Sequence, residues 1–401
     1  MIFFLKKYKT ARYICCFFAL IFIFCFGLVL VYQIPNAALE PQYSKSIAQL
    51  DKEEIYPIFL FGADAAILDN FMDRIMVETC RISSDYNSTI QATFDNNGYP
   101  RYWNGYLLTL RPLLTQFTYQ QIRYINMFVL LIGFCFCFSG LQQKVNTSVS
   151  FGFAVSMIAC FLIFIGESLQ YFSVFVILFV EILLILYVPY FQQKENSVLL
   201  LFAAGMATNF FDMLTAPLLT LGIPLIVILC LNYKKNCDLK EQMQILLSHT
   251  ILWGLGYGLC WAAKWAIGSL MLHANVFENA MKTAQFRVSG SEAYPLDRAL
   301  MFKLNFDTYF FAKGHKPAVF LTVAFLFLLV RFLRCHDKDW KSIVLPVLFV
   351  GFFPYVWYFV FANHSQLHYF YTYRIQAITL FAAFAAIGCA AGKGKVNFEN
   401  N

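Results

Sequence analysis

Long apolar runs recur along this chain, and most of the polar segments between them are short. A membrane hydrocarbon core of roughly 30 Å needs about 20 apolar residues per helix. By this criterion the pattern predicts an all-α polytopic membrane protein that forms one integral-membrane domain over residues 1–401, with about ten membrane spans. The predicted spans lie at about 13–33, 124–140, 148–166, 170–190, 197–211, 213–231, 248–270, 317–333, 342–362 and 373–391.

Two of these runs allow a second interpretation. The first run follows several basic residues, as the apolar part of a signal peptide does, but it is long and no clear cleavage pattern closes it. We therefore expect a retained first span. The region 197–231 is interrupted by Asn209, Asp212, Pro217 and Pro224, and it forms either two spans or one span and a re-entrant segment.

Composition and charge support a membrane protein and indicate its orientation. Hydrophobic residues make up 60% of the chain and charged residues 13%, and the mean hydropathy is +0.60. Lysine and arginine concentrate in cytoplasmic loops, and ten alternating spans place the short basic loops on one side. We expect both termini, including the tail 392–401, in the cytoplasm of a cell membrane. The net charge of +7 is then a topology signal, and we expect no nucleic-acid partner.

Two long segments fall on the opposite, outer side. The first, at 34–122, precedes spans two to seven in 123–270, and the second, at 271–316, precedes spans eight to ten in 317–391. Amphipathic helices are predicted within the first segment at 62–80 and 105–117, and Pro112 is an obstacle in the second of them. Helices of this kind lie in the membrane interface with the apolar face down. The apolar stripe of the first predicted helix consists of Leu68, Met72, Ile75 and Met76.

The leading candidates for chemistry are Asp69 and Asp73, spaced i and i+4 on the first predicted helix. A carboxylate at the boundary of water and lipid can act as a general base toward a sugar hydroxyl. The pair can also help to hold a divalent cation such as Mg²⁺ or Mn²⁺ on a pyrophosphate. The alternative is a solvated helix face without a catalytic role.

A second candidate is an aromatic and basic cluster in the same outer segment. Aromatic rings with an arginine suit sugar stacking and recognition of a phosphate. An aromatic anchor at the membrane interface is the alternative. The candidate substrate-binding residues of this cluster are Tyr99, Arg101, Tyr102 and Trp103.

Charged residues near the ends of predicted spans add three further candidates. Ionisable groups at such positions are costly and commonly functional. Asp212 either takes part in the site or caps the following span. Lys264 either contacts a lipid phosphate or pairs with Glu181, and Arg287 is a candidate phosphate ligand in the second outer segment.

The segment that joins the last two spans carries His364, His368 and Arg374. The two histidines are spaced as a metal pair would be on a helix, but no acidic ligand lies nearby in sequence. We favour binding of hydroxyl or phosphate groups, with Arg374 as a phosphate fork. A purely structural outer turn remains the alternative.

The long first outer segment, its Asp69-x-x-x-Asp73 pair and the many spans with short cytoplasmic loops resemble the GT-C superfamily of integral-membrane glycosyltransferases. The resemblance is architectural, and the acids are spaced more widely than in many members. It implies a polyprenyl-phosphate-linked sugar as donor, a glycan or glycolipid as acceptor, and an inverting transfer. It further implies that Asp69 or Asp73 deprotonates the acceptor hydroxyl and that basic outer residues hold the donor phosphate.

The predicted site residues share the outer side, as expected of an enzyme that acts on lipid-linked substrates. A transporter would place such groups at mid-membrane. Two alternatives to a glycosyltransferase stay open: a polysaccharide polymerase or ligase of the cell envelope, which would depend on the outer arginines and histidines, and a non-enzymatic flippase or transporter of lipid-linked glycans.

Overall fold

The computed structural model describes residues 2–59, 63–83, 86, 88–311, 322, 324–326, 329–330, 332–333 and 336–391. Within these residues the regular secondary structure is helical, with two isolated β-bridges and no strand. The fold class predicted from the sequence, an all-helical membrane protein, is confirmed at this level.

The α-helices with defined limits are α1 (Ile2–Tyr32), α2 (Asn36–Leu50), α3 (Asn70–Thr79), α4 (Thr89–Asp95), α5 (Leu107–Leu113), α6 (Tyr119–Lys144), α7 (Thr147–Ala159), α8 (Leu162–Ile165), α9 (Leu169–Tyr187), α10 (Lys194–Phe211), α11 (Leu219–Lys234), α12 (Leu239–Leu272), α13 (Val276–Ser289), α14 (Arg298–Phe310), α15 (Lys341–Gly351), α16 (Phe353–Val360), α17 (Ala362–Leu367), α18 (Tyr369–Thr372) and α19 (Ala377–Ala390). Short 3₁₀ helices cover Asp64–Ala66, Pro189–Gln192 and Tyr373–Gln376.

In the described part of the chain, six helical segments are long and apolar enough to cross a membrane. They coincide with the first, second, fourth, seventh, ninth and tenth predicted spans. Their limits are Thr10–Tyr32, Tyr119–Lys144, Leu169–Tyr187, Leu239–Leu272, Lys341–Val360 and Tyr369–Ala390.

Three other predicted spans form shorter or less apolar helices. The third corresponds to α7, which has 13 residues and so a length of about 20 Å. The fifth and sixth correspond to α10 and α11, with 18 and 16 residues. The predicted span 317–333 and the tail 392–401 lie mostly or wholly outside the described residues.

The segments predicted on each side of the membrane do come together. On one side, which we call the inner face, Arg12 donates to Asn196 at 2.7 Å. The Lys234 ammonium donates to the Lys144 carbonyl at 2.9 Å. On the other, the outer face, the segments that contain Asp69, Leu214, Arg287 and His364 meet, as described below. These contacts group basic loops at one end of the helices and the candidate residues at the other.

Close helix packing holds the scaffold between these faces. Helices α10 and α12 cross at two glycines, and a Cβ at Gly256 would lie 2.1 Å from the Phe202 carbonyl oxygen. A Cβ at Gly205 would lie 2.2 Å from the Trp253 carbonyl oxygen. Small residues let membrane helices approach in this way. The crossing fixes the outer end of α10, which leads directly into Asp212.

Candidate functional site on the outer face

The first candidate helix begins later than the sequence predicted. The prediction of a helix over 62–80 is wrong at its start, since α3 runs from Asn70 to Thr79 after the 3₁₀ turn at Asp64–Ala66. Asp69 is the N-cap residue of α3, and its Oδ1 accepts the Met72 N–H at 3.0 Å. An aspartate at this position satisfies one of the free N–H groups of the first turn.

The predicted apolar stripe of α3 is also only partly buried. Met76 is buried, whereas Met72 and Ile75 are half-buried. Asp73 lies on the inner side of the helix and is fully buried. Helix α3 therefore packs on α2 and α9 through a face that contains a carboxylate. This buried face differs from the predicted apolar stripe, because it includes Asp73 and leaves Met72 and Ile75 half-buried.

Asp73 caps a membrane helix other than its own. Its Oδ1 accepts the Ser168 hydroxyl at 3.0 Å and the Gln170 N–H at 3.1 Å. Its Oδ2 accepts the Tyr119 hydroxyl at 2.7 Å and the Leu169 N–H at 3.0 Å. These donors include the first free N–H groups of α9, which favour a negative charge. Four donors occupy the carboxylate, so it has no acceptor position left for a substrate proton.

A buried arginine completes this network, and the sequence reasoning missed it. The Arg123 guanidinium donates to the Tyr119 hydroxyl at 2.6 Å and to Asn70 Oδ1 at 2.9 Å. It pairs with Glu53 at 3.0 Å and lies 3.7 Å from a Glu167 carboxylate oxygen. Arg123 could have been identified from its position at the boundary of the second predicted span, because a charged side chain there must be paired or hydrogen-bonded.

The surroundings of Asp69 differ from those of Asp73. Asp69 is 5% exposed, and its Oδ2 accepts no hydrogen bond from any described residue. Burial raises the pKa of Asp69 to about 7, and the nearby Asp73 adds to the shift, while the Met72 N–H opposes it. Asp69 lies close enough to three tyrosines for its charge to act on their hydroxyl groups, namely Tyr56, Tyr171 and Tyr371. A carboxylate with this pKa can accept a proton near neutral pH.

Arg287 and His364 meet on the same face. The Arg287 guanidinium donates to His364 Nδ1 at 2.5 Å and to the Tyr102 hydroxyl at 2.8 Å. His364 Nε2 lies 2.9 Å from the Leu214 carbonyl, so Nε2 carries the proton. Burial and Arg287 hold the pKa of His364 well below its usual range. Both ring nitrogens are thus used, and His364 orients Arg287.

Asp212 forms the turn that carries Leu214. Both its carboxylate oxygens accept the Thr215 N–H at 3.1 Å, and the Thr215 hydroxyl donates to Oδ1. Burial raises the pKa of Asp212 to about 7, and backbone N–H groups of the turn oppose the shift. Asp212 therefore stabilises the turn from which the Leu214 carbonyl contacts His364.

An apolar groove opens beside these residues. It has a volume of about 210 Å³, and Arg101 and Arg287 are among the residues that line it. The Nε atoms of both arginines are buried and have no hydrogen-bond partner among the described residues. Trp261 and Trp265 form one wall, with ring centroids 5.7 Å apart. An apolar groove lined by two arginines suits a lipid that carries a phosphate.

Tyr371 lies near both Asp69 and Arg287, and His368 packs against Tyr371. The His368 ring stacks on Tyr371 at 5.1 Å and lies 4.9 Å from the His364 ring. The charges of both Asp69 and Arg287 act on the Tyr371 hydroxyl group. Burial lowers the pKa of His368 to about 4, with Arg287 contributing, so the ring is neutral at pH 7. Its nitrogens form no hydrogen bond with the described residues.

Other predicted site residues lie in the packed scaffold beneath the outer face. Arg374 is buried, donates to the carbonyls of Cys160, Phe370 and Ala65, and lies over the Tyr171 ring at 4.3 Å. Trp103 is buried and donates to the Cys260 carbonyl at 3.1 Å. These contacts place both residues away from the groove.

Lys264 is also buried in the scaffold. Its ammonium donates to the Phe94 carbonyl at 2.9 Å and lies 5.6 Å from the centre of the Trp103 ring. It forms no ion pair with Glu181, whose carboxylate oxygens are buried without a hydrogen-bond partner among the described residues. Tyr99 lies at the edge of the site, with the Arg101 guanidinium 5.2 Å from its ring.

A bridging cation does not fit the carboxylates. Within the described residues, no group of three or more His, Cys, Asp or Glu side chains could hold a metal ion. Asp73 has no free acceptor position, so the pair cannot share a cation. We therefore derive no step through a metal.

No protein-family model matches this chain, and no curated protein or solved structure is significantly similar to it. The functional assignment therefore rests on the geometry of the outer face.

Proposed function

We propose that this chain is a membrane glycosyltransferase that moves a sugar from a polyprenyl-phosphate donor to a glycan or glycolipid acceptor on the extracytoplasmic face. The observation that carries the proposal is a pairing on one face. A buried carboxylate with a pKa of about 7, Asp69, and Arg287 both lie near Tyr371, and Arg287 lines an apolar groove together with Arg101. The first group suits a base and the second suits a lipid phosphate.

The reaction that fits this arrangement is a single displacement at the anomeric carbon. An acceptor hydroxyl oxygen attacks that carbon, and the bond from the carbon to the phosphate oxygen breaks with inversion. Asp69 Oδ2 takes the hydroxyl proton as the new bond forms. The polyprenyl phosphate leaves with the bonding electrons, and the Arg101 and Arg287 guanidinium groups stabilise its added charge.

The remaining polar residues act as positioning groups in this proposal. His364 and Tyr102 hold Arg287 in place. Asp73 fixes α3 to the outer end of α9, and so fixes the position of Asp69. Correct placement of base and donor lowers the barrier without any new bond to the protein.

A polysaccharide polymerase or ligase is the second candidate, and the observation that favours it is the state of His368. A neutral imidazole without a hydrogen-bond partner among the described residues, next to Tyr371, could serve as the base in place of Asp69.

For the membrane topology, we propose ten spans with both termini in the cytoplasm. The short helices α7 and α11 would then cross together with the segments that flank them, and residues 317–333 would supply the eighth span. The meeting of the basic loops at one face supports this arrangement.

Transfer by the purified protein in detergent tests the proposal. Wild-type protein should move labelled sugar from a polyprenyl phosphate to an acceptor without any membrane gradient, which a flippase would not do. Asp69→Asn should reduce the rate by roughly 10² to 10⁴, the usual contribution of a general base. His368→Gln and Asp212→Asn should retain most of the rate. Loss of transfer in His368→Gln but not in Asp69→Asn would select the polymerase or ligase mechanism.

A further inference from the structure

A large polar cavity lies on the outer face away from the candidate site. It has a volume of about 700 Å³, within the usual range for binding sites of small ligands. It is formed where the end of α1 meets α2, the end of α3 and the start of α4. Its lining includes Tyr32, Asn36, Tyr43, Glu78, Arg81 and Ser83.

The walls of this cavity are fixed by buried hydrogen bonds. The Arg111 guanidinium is fully buried and donates to the carbonyls of Val31, Ile34 and Cys80, which ties the end of α1 to the end of α3. The Asn36 side chain donates to the Ile82 carbonyl at 2.8 Å and accepts the Ile82 N–H at 3.1 Å. The cavity is therefore preformed, and a ligand would not have to order it.

The lining is polar, aromatic and close to neutral. Glu78 pairs with Arg74 at 2.8 Å, and Arg81 lies 3.7 Å from Glu40. Arg81 also lies over the Tyr43 ring at 5.7 Å. Paired charges beside a half-buried tyrosine offer hydrogen bonds and a stacking surface without attracting a net charge. A neutral polyhydroxyl ligand has this chemistry.

The exposed side of α3 leads from the cavity to the start of the helix, which Asp69 caps. Asp69 precedes the first residue of this helix, and Glu78 lies near its end, which at 1.5 Å per residue places them roughly 14 Å apart. Phe71, 52% exposed, and the half-exposed Arg74 share the outer side of α3 with Glu78, whereas Asp69 caps the start of this helix. An aromatic and polar surface thus runs along the outer side of α3, from the start of the helix to the cavity.

We infer that this cavity binds an oligosaccharide, namely the part of a neutral acceptor glycan several residues away from the reacting hydroxyl. The inference rests on the proposed transfer reaction for the role of the glycan as acceptor. The binding of saccharide at the cavity does not depend on that reaction and can be measured alone.

Calorimetric titration of the full-length protein in lipid nanodiscs tests the inference. The probes are disaccharides and hexasaccharides of glucose and of N-acetylglucosamine. We expect the hexasaccharide of at least one sugar to bind about tenfold more tightly than its disaccharide. Tyr43→Ala and Arg81→Gln should each remove this tenfold gain in affinity, because each removes one good contact with the saccharide. Arg81 is exposed, so its replacement does not endanger folding. Lys282→Ala, which removes an exposed and paired charge on α13, is the matched control and should change nothing.

Equal affinity for short and long probes, absence of binding by all of them, or full affinity in both cavity variants would overturn the inference. Transfer by Asp69→Asn separates this result from the proposed function. Length-dependent binding together with an active Asp69→Asn protein would retain the saccharide cavity and reject the mechanism. An inactive Asp69→Asn protein with length-independent binding would retain the mechanism and reject the saccharide cavity.

Discussion

At the scale of single residues, two aspartates four positions apart have opposite environments. Asp73 receives four hydrogen bonds, two of them from the start of α9. Asp69 receives one, from its own helix, and burial raises its pKa to about 7. The first arrangement stabilises the fold, whereas the second leaves a carboxylate that is costly to ionise and available for proton transfer.

The two aspartates should therefore have opposite effects on stability. The pKa of Asp69 is about 7 in the folded protein and about 3.9 in an unfolded chain. Between these values the folded state binds more protons, so the free energy of unfolding falls as pH rises through this window. Asp69→Asn removes a cost of roughly 4 kcal/mol at most, and should raise the melting temperature at alkaline pH.

Asp73→Asn should instead destabilise the protein by roughly 3 kcal/mol at alkaline pH and so lower its melting temperature, because an amide cannot accept all four donors. The loss should be smaller in acid, since burial raises the pKa of Asp73 as well. Thermal denaturation in detergent, measured across the pH range, compares the two variants. A destabilised Asp69→Asn protein at alkaline pH would contradict the assignment of the two environments.

The groove arginines should affect donor binding more than the rate of the chemical step. Arg287→Ala should raise the KM for the polyprenyl-phosphate donor roughly 10-fold to 100-fold, the loss expected for a charge-assisted hydrogen bond. Arg298→Ala is the control, since Arg298 is an outer arginine that lies over Phe359 outside the groove. Steady-state kinetics with varied donor would measure both, and an equal effect of the two substitutions would argue against a specific phosphate site.

At the scale of helices, the sequence pattern predicted the presence of the helices better than their first and last residues. Apolar length identified the long spans, since burial in lipid demands it. It misplaced the start of α3, because the break before Asn70 depends on Asp69 as a cap and on the 3₁₀ turn at Asp64–Ala66. It also did not reveal that Asp73 caps α9, a contact between residues 95 to 97 positions apart.

The crossing of α10 and α12 gives a test at this scale. Gly256→Ala should destabilise the protein by about 1–3 kcal/mol, because its Cβ would overlap the Phe202 carbonyl. Gly258→Ala on the same helix has nothing within 4 Å of its Cβ, so it should be neutral or stabilising by up to about 1 kcal/mol. Melting temperatures of both proteins provide the comparison, and similar values would mean that the crossing is not close.

At the scale of the whole molecule, the outer site joins segments that are distant in sequence. Counting spans placed Asp69, Asp212, Arg287 and His364 on one side. Arg287 contacts His364, and His364 contacts the Leu214 carbonyl in the turn that Asp212 stabilises. The sequence could not separate these residues from Arg374, Trp103 and Lys264, which are buried in the scaffold. The difference depends on the tertiary contacts of each side chain, which periodicity does not report. The aromatic partners of Asp69 were missed for the same reason.

The proposed topology predicts opposite accessibility of the two faces. Lys282→Cys on α13 should react with a membrane-impermeant thiol reagent in intact cells. Lys240→Cys at the start of α12 should react only after permeabilisation. Both positions are exposed, so the membrane alone distinguishes them. Labelling of both in intact cells would contradict the proposed alternation of spans.

The pH dependence of kcat/KM for sugar transfer tests the central claim most directly. If Asp69 is the base, activity should fall about tenfold per pH unit below a pKa of about 7. This fall in activity toward acid pH should persist in Asp212→Asn and be absent from the residual activity of Asp69→Asn. A limb near pH 4, the pKa of His368, that persists in Asp69→Asn would contradict the account.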